Sequence, residues 1–236
     1  MPLNNQFVES NQSKNSGSRK ANEWALKTYW LRLTRILKSG QEQDFFCPFF
    51  YLLMSSSKIS LVAQITRGLF LADAKRSAAG RVWQLLSRFT WELPQTLGGW
   101  LYSVMRAAVG QVDRVDTFGG ITFATKKDFK YGMGVSLGTF IDLWAAPWMQ
   151  GEGERYILGN PICMHEFGHT ADSQRFGWLY LPVIGLPSLL SAFGKGDHSI
   201  FWTETRANRH AKRYFGKHYS IAWNETCYPT ESKTMA

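Results

Sequence analysis

Residues 164–170 read Met-His-Glu-Phe-Gly-His-Thr and contain the pattern H-E-x-x-H. His165 and His169 stand four residues apart, which places both imidazoles on one face of a helix, where two rings can bind one metal ion. Glu166 projects about 100° further round the same helix, so its carboxylate could take a proton from a metal-bound water without being a ligand. These residue types at this spacing predict hydrolytic chemistry at a zinc ion.

The flanking residues predict the helix that this pattern needs. Asn160 precedes it as an N-cap, Pro161 suits the first turn, and Gly177 follows as a C-cap, so a helix over 161–175 is expected. The competing interpretation is a capped surface helix with two incidental histidines. A third ligand would decide between the two interpretations, because a catalytic zinc site keeps three protein ligands and one water.

Glu204 is the candidate for that third ligand, and it opens a second predicted helix. The inward stripe of this helix comprises Glu204, Asn208, Ala211 and Phe215. The basic residues fall on its far side: Arg206, Arg209, Arg213 and Lys217. A lone inward glutamate is costly to bury, and two histidines with a metal would compensate for it. His198 and His210 are the alternatives for this ligand position.

The two motifs together resemble those of the gluzincins, the thermolysin-like zinc metallopeptidases. The second motif of that group is a glutamate followed by a small residue and then Asp or Asn, and here it reads Glu204-Thr-Arg-Ala-Asn208. The resemblance implies zinc as the cofactor and a peptide or protein as the substrate. It assigns these roles: His165, His169 and Glu204 as zinc ligands, Glu166 as general base, and Asn208 as the partner that orients a ligand histidine.

Asn208 departs from the pattern, because many members of the group have Asp there. A neutral amide can still orient an imidazole, but it contributes less negative charge, which affects zinc affinity. Asp172, one turn after His169, is the alternative partner.

A broader similarity extends over roughly residues 68–222. It is carried by segments 88–96, 112–116, 118–122 and 165–191, which look like a group of Bacteroides-type proteins with HEYGH-like motifs. Similar metallopeptidase-like segments also look to occur at the ends of Rhs-type polymorphic toxins. The similarity implies a peptidase and specifies no substrate.

The motif and the resemblance predict an enzyme that hydrolyses peptides with zinc. In such a reaction, the carbonyl oxygen gains negative charge and needs a hydrogen-bond donor. The sequence offers four candidates and does not distinguish among them: Tyr180, His198, His210 and Tyr214. The alternatives are a non-catalytic zinc-binding or membrane-associated structural protein and a toxin-type effector. Glu166 favours catalysis, because a structural zinc site tends to be closed by four protein ligands and has no use for a carboxylate beside a water position.

The other elements predict an α+β fold, a mainly helical zincin-like core with a small antiparallel sheet or hairpin. Helical periodicity over 82–89 and 97–109, interrupted at Pro94, predicts two core helices. Segments 119–125 and 134–141 predict two strands joined by a turn. In the family an edge strand beside the zinc pairs with extended substrate, and 134–141 is the candidate here; a plain structural hairpin is the alternative.

Composition divides the chain into four predicted parts. Residues 1–22 form a disordered polar leader without the apolar stretch of a signal peptide, and 23–66 form a helical or interfacial segment. The latter holds an amphipathic helix candidate at 23–39 and an apolar run at 45–54 that is too short to span a bilayer. Residues 67–222 are the metallopeptidase-like domain and 223–236 the C-terminal tail. A cytoplasmic protein is expected, with membrane association or leaderless export as alternatives.

Charge and apolar patterning bear on partners. The net charge of +9 favours an anionic membrane surface or an acidic partner, whereas nucleic acid is disfavoured because no nucleic-acid-binding fold accompanies the basic stripe. Residues 177–193 carry no charge and predict a buried or lipid-contacting loop between the ligand helices. An intramembrane protease is disfavoured, because charged residues flank the metal motif. Three widely spaced cysteines, of which Cys163 is expected in the core, exclude a disulfide framework and a thiolate zinc site.

Overall fold

Seven α-helices and one four-stranded sheet account for most of residues 56–232, the part of the chain that the computed structural model describes. The helices are α1 Ser56–Arg67, α2 Ala78–Phe89, α3 Leu93–Ala108, α4 Gly153–Gly159, α5 Pro161–Phe176, α6 Leu186–Phe193 and α7 Trp202–Tyr219. The strands are β1 Arg114–Phe118, β2 Ile121–Lys126, β3 Met133–Leu137 and β4 Phe140–Trp144. The α+β class is confirmed. The leader, the helix candidate at 23–39 and the run at 45–54 lie outside the described residues.

The sheet is mixed, which corrects the antiparallel sheet expected from the sequence. Its order is β1-β2-β4-β3, with β2 and β4 parallel and both outer pairs antiparallel. The segment predicted as one strand over 134–141 is two strands, because Gly138, at φ 61°, begins a two-residue turn between β3 and β4. Strand β1, which periodicity did not predict, pairs with β2 across Gly119 and Gly120, both at positive φ. Strand β3 therefore forms one edge of the sheet.

Helices cover both faces of the sheet, so its central strands are buried on both sides. On one face, Phe123 and Ile141 pack with Phe167 of α5 and Phe215 of α7. On the other face, Ala124 and Phe140 pack with residues of α1 and α3. Each fully buried side chain of this size contributes about 1.5–3 kcal/mol of transfer free energy. Helices α5 and α7 are thereby held against one face of the sheet.

Helices α2 and α3 form close to where they were predicted, but the expectation of two core helices holds only for α3, which buries Val104 in the core, and is wrong for α2. Ser77 caps α2 by accepting a hydrogen bond from the Gly80 amide, and Pro94 lies in the first turn of α3. The apolar side chains of Val82 and Leu86 are both 56% exposed. The buried face of α2 is polar instead: Gln84, Ser87 and Arg88.

Backbone carbonyl groups explain this inversion. The Arg88 guanidinium donates to the carbonyl oxygens of Gly68, Leu69, Leu71 and Gly120. These carbonyls belong to connections that form no regular ladder there, and buried acceptors need donors. Periodicity identifies a helix face and does not identify which face meets the core.

The helix that carries the H-E-x-x-H pattern ends as predicted. Gly177 follows it with φ 56°, a conformation that suits glycine. Asn160 occupies the N-cap position, but its amide donates to the Tyr156 carbonyl rather than capping the helix. The buried stripe of α7 is confirmed, with Glu204, Asn208, Ala211 and Phe215 at most 3% exposed.

The charge-free segment 177–193 is helical, which corrects the loop expected there. It comprises a short 3₁₀ turn, a π-helical turn over Leu181–Gly185, and α6. Within residues 56–232, no single helix is long and apolar enough to cross a bilayer. Two consecutive helical segments, Pro161–Leu179 and Leu181–Phe193, meet at an angle of 120°. Taken together, and by length and composition only, they are long and apolar enough to cross a bilayer. Cys163 is buried, as expected, and Cys227 is exposed.

Candidate metal centre

The motif glycine sets how closely the two ligand-bearing helices approach. A Cβ on Gly168 would lie 2.1 Å from the carbonyl oxygen of Ala207, so α5 and α7 cross here with only a hydrogen between them. His165 and His169 flank this glycine on α5, and Glu204 and Asn208 bracket the facing alanine on α7. The crossing therefore brings His165 and His169 of the first motif close to Glu204 and Asn208 of the second.

Two imidazoles and one carboxylate converge in this crossing. The Nε2 atoms of His165 and His169 lie 3.2 Å and 3.3 Å from Oε2 of Glu204. One candidate ligand atom from each residue lies within 4.8 Å of the others, and Glu204 and His169 are buried. The cluster could hold a metal ion.

The electrostatics of the cluster show how strongly it favours positive charge. Burial disfavours the charged form of Glu204, but the two histidines outweigh it and hold the pKa of this carboxyl well below its usual range. Burial likewise opposes protonation of His169, but Glu204, with Glu166 and Asp172, raises the pKa of His169 to about 9. A proton on His169 therefore occupies a place that is suited to a cation.

Only one oxygen of Glu204 faces the histidines. Its Oε1 atom accepts hydrogen bonds from Ser188 Oγ at 2.6 Å and from Thr203 Oγ1 at 2.9 Å. These two bonds fix the rotation of the carboxylate, so Oε2 is presented to the imidazoles. Ser188 belongs to α6, and no sequence pattern indicated that this helix reaches the cluster.

Asn208 orients His165 and is itself oriented by the tail. Its Oδ1 lies 2.6 Å from Nδ1 of His165, which turns Nε2 of the ring toward Glu204. Its Nδ2 donates to the carbonyl oxygen of Pro229 at 2.7 Å. An amide can accept on one side and donate on the other, whereas an ionised carboxylate can only accept. This arrangement gives a physical reason for Asn rather than Asp at this position.

Asp172, the alternative orienting residue, is fully buried and faces the basic side of α7. Its Oδ1 accepts a bond from Arg206 and lies 3.1 Å from Nε2 of His210. Its Oδ2 has no hydrogen-bond partner among the described residues, and the same is true of His169 Nδ1, one turn earlier on α5. His210 is thus directed to Asp172, and the structure does not bring it into the cluster.

Glu166 lies beside the cluster under the edge strand. Its Oε2 accepts a hydrogen bond from Ser136 Oγ of β3 at 2.7 Å. A Cβ on Gly134 would lie 2.5 Å from Cγ of Glu166, so the strand passes directly over this side chain. The Glu166 carboxylate is therefore held in a fixed place against β3. The sequence did not indicate Ser136, because its partner is distant along the chain.

The four predicted oxyanion donors separate into two pairs. His198 Nε2 lies 3.6 Å from Oε2 of Glu204, and its side chain is 37% exposed, at the open margin of the cluster. Burial lowers its pKa, and the nearby glutamate only partly offsets this, which favours a neutral ring. Tyr180 is buried beside β3, where its hydroxyl donates to the Ser136 carbonyl.

The second pair points away from the cluster. The Tyr214 hydroxyl donates to Oδ2 of Asp73 at 2.9 Å, and His210 contacts Asp172. Burial and the Asp73 carboxylate raise the pKa of Tyr214. These two residues support the packing of α7 instead.

The segment after α7 covers His165, which sequence reasoning missed. The ring of Tyr228 lies with its centroid 5.5 Å from that of His165. Its backbone is held because Trp223 Nε1 donates to the Tyr228 carbonyl at 2.8 Å. Burial raises the pKa of the Tyr228 hydroxyl, which keeps it protonated. No local pattern links these residues to a site that they reach only through the fold.

Comparisons of the chain with protein-family models, curated proteins and solved structures find no significant match. The geometry of the cluster is therefore the basis for a functional proposal.

Proposed function

We propose that this protein is a zinc-dependent peptide hydrolase. His165, His169 and Glu204 would bind the zinc ion, and Glu166 would act as the general base. The observation that supports this best is the convergence of two imidazole nitrogens on one carboxylate oxygen, with a separate carboxylate held beside them by the edge strand.

The donor set suits zinc. Zinc binds imidazole nitrogen and carboxylate oxygen at about 2.0–2.2 Å in tetrahedral geometry, so two of its ligand atoms lie about 3.3–3.5 Å apart. The distances of 3.2 Å and 3.3 Å from the glutamate oxygen to the histidine nitrogens are close to this tetrahedral edge. Zinc bound there would lower the pKa of a bound water and polarise a carbonyl group.

Glu166 would move the proton in the reaction. It accepts a proton from the attacking water as the water oxygen bonds to the carbonyl carbon, and it delivers that proton to the amine nitrogen as the C–N bond breaks. The hydrogen bond from Ser136 keeps its carboxylate in place during both steps. His198, at the open margin, is the donor best placed to stabilise the developing oxyanion.

Strand β3 supports an extended peptide as the substrate. It forms the edge of the sheet and passes directly over Glu166, and Val135 on it is 39% exposed. An extended chain that pairs with such an edge gains backbone hydrogen bonds regardless of its sequence. A peptide bound in this way would place a carbonyl group near the general base.

A second candidate is a closed, non-catalytic metal site. The position of His198 favours it, because a fourth protein ligand would complete a tetrahedral structural site. The two proposals differ over Glu166, which a structural site does not need.

Elemental mass spectrometry and peptide-cleavage assays on Glu166→Gln and Glu204→Ala test the proposal. We expect stoichiometric zinc in the wild type and in Glu166→Gln, with activity of the latter reduced by about 10²–10⁴-fold. Glu204→Ala should lose most of its zinc. A folded wild type that takes up no zinc when the metal is supplied would refute both proposals. Zinc in the wild type without cleavage of any peptide in a random-sequence library would favour the closed site.

A further inference from the structure

A broad apolar surface lies outside the metal centre. It consists of the exposed apolar side chains of residues 82–109 and 178–193, which we call the apolar face. Along α3 its ridge contains Leu93, Leu97, Leu101 and Met105, at four-residue spacing and each between 42% and 53% exposed. This ridge runs about 18 Å along one side of the helix. Monomeric soluble proteins rarely expose so long a continuous apolar strip.

Charge is excluded from this face. Among residues 82–109, the charged side chains of Arg88, Glu92 and Arg106 are each at most 5% exposed. Residues 177–193 include no charged residue at all. The usual arrangement is therefore inverted here, with polar groups inside and apolar groups outside. This inversion is typical of surfaces whose surroundings are less polar than water.

The two segments adjoin to form one surface. A Cβ on Gly177 would lie 2.3 Å from the indole ring of Trp91, so the start of the second segment touches the start of α3. Gln95 Nε2 also donates to the Gly177 carbonyl at 2.7 Å. The apolar residues that follow Gly177 thus begin directly beside the exposed apolar side chains at the start of α3.

We propose that the apolar face docks on the surface of a lipid bilayer. A protein partner would need about one hydrogen bond per 100–200 Å² of interface, and the exposed side chains of this face offer few donors or acceptors. Lipid tails need none. Trp83, Trp91 and Trp178 are exposed on the face, and tryptophan is enriched at the level of lipid headgroups.

Cations at the limits of the two segments indicate an anionic membrane. Arg81 precedes the first segment, Arg175 precedes the second, and Lys195 follows it, all three exposed. Basic residues beside an inserted apolar surface add attraction to anionic headgroups. This inference uses no residue of the metal centre and holds independently of the proposed enzyme activity.

Docking would also place the metal centre close to the membrane. Ser188 lies on α6 between leucines of the apolar face and donates to the metal-ligand candidate Glu204. A bilayer that contacts α6 would therefore lie one side chain away from the cluster. Substrates held at the membrane would reach such a site more readily than substrates in solution.

Vesicle flotation of the full chain tests the proposal. The probe is vesicles of phosphatidylethanolamine with about one quarter phosphatidylglycerol, compared with neutral phosphatidylcholine vesicles. The variant Leu97→Asp/Leu101→Asp should reduce the partition coefficient by more than about tenfold, because it places charge at the centre of the ridge. The matched control Trp148→Asp/Gln150→Asp changes charge equally, at exposed residues outside the face, and should bind as the wild type does.

Three outcomes would overturn the proposal. The first is wild type that does not float with either vesicle. The second is a Leu97→Asp/Leu101→Asp variant that floats as well as its control. The third is a dimer in analytical ultracentrifugation that this variant dissociates and that does not bind vesicles, which would assign the face to a second copy of the chain. Circular dichroism and thermal unfolding of each variant show that a loss of binding is not a loss of folding.

Discussion

Two helical pairs in this protein both bury polar groups, but they differ in whether those groups have partners. In the pair α2 and α3, every buried charge is matched by a fixed partner: Arg88 donates to four carbonyl groups, and Arg106 pairs with Asp142 at 2.6 Å. In the pair α5 and α7, two imidazole nitrogens face one carboxylate oxygen, and His169 Nδ1 and Asp172 Oδ2 have no partner within residues 56–232. Both pairs bury charge, and incomplete matching of that charge is what distinguishes the candidate site on α5 and α7 from the pair α2 and α3.

The largest effect on stability is expected in the pair α2 and α3, where a buried charge would lose its partners. Arg88→Met removes the buried guanidinium that donates to four carbonyl groups and should lower the free energy of unfolding by about 3 kcal/mol or more. Urea denaturation monitored by circular dichroism measures this. The control Arg81→Met, on the same helix but exposed, should change stability by less than about 0.5 kcal/mol. Equal stability of the two variants would contradict the structural role given to Arg88.

The crossing of the second pair can be opened without removing any ligand. Gly168→Ala forces α5 away from the Ala207 carbonyl and should cost about 1–3 kcal/mol of stability together with most of the zinc affinity. Differential scanning calorimetry and zinc titration measure the two effects. Gly98→Ala is the matched control, because nothing lies within 4 Å of its added methyl group. It should stabilise α3 by about 0.5–1 kcal/mol, and zinc affinity should not change.

A smaller change in zinc affinity should follow from replacing Asn208, whose amide orients His165. Asn208→Ala leaves the Nδ1 side of His165 without its partner, and zinc affinity should fall by about 10–100-fold. Asn208→Asp restores an acceptor for His165 but loses the donor to Pro229, so its affinity should lie between those of the wild type and Asn208→Ala. Competition with a chromophoric chelator measures both. Wild-type affinity in Asn208→Ala would show that the ring needs no orientation.

At the cluster of α5 and α7, zinc affinity and metal-free stability should depend on pH in opposite senses. Because the pKa of His169 is raised to about 9, zinc binding as proposed would have to displace a proton, and the apparent zinc affinity should rise by about tenfold per pH unit as the pH approaches that value. Metal-free stability should change in the opposite sense. The raised pKa contributes stability that is complete below the unfolded value of about 6.5 and is lost as the pH rises through about 9. Chelator competition over this pH range measures the expected rise in zinc affinity. Denaturation of the metal-free protein over the same range measures the expected loss of stability.

Those parts of the fold that local chemistry decides could be read from the sequence. The bounds of α5 follow from Pro161 and Gly177, and the buried stripe of α7 follows from residue spacing alone. The placement of His165, His169 and Glu204 in one cluster agrees with what the resemblance to gluzincin motifs implied, whereas residue spacing left His198 and His210 as alternatives to Glu204. Residues that join the site through the fold gave no comparable pattern. Ser136 lies on an edge strand, and Tyr228 lies in a segment after the last helix.

The inverted helix α2 shows a second kind of limit. Its periodicity was correct, but the side that meets the core carries Arg88, whose guanidinium donates to carbonyl groups that are distant along the chain. The turn at Gly138 is a similar case, because two strands of one apolar pattern separate only where the backbone takes a positive φ. Sequence patterns describe an element well and describe its neighbours poorly.

The bond between Asn208 and Pro229 couples the metal centre to the C-terminal segment thermodynamically. If attachment of residues 223–232 helps to hold His165 in place, then a bound metal must hold that segment in place by the same factor, because coupling free energies are reciprocal. Metal would then slow amide hydrogen exchange and proteolytic cleavage in a stretch that contributes no ligand. A macromolecule that pulled this segment away would, by the same equality, draw metal out of the site.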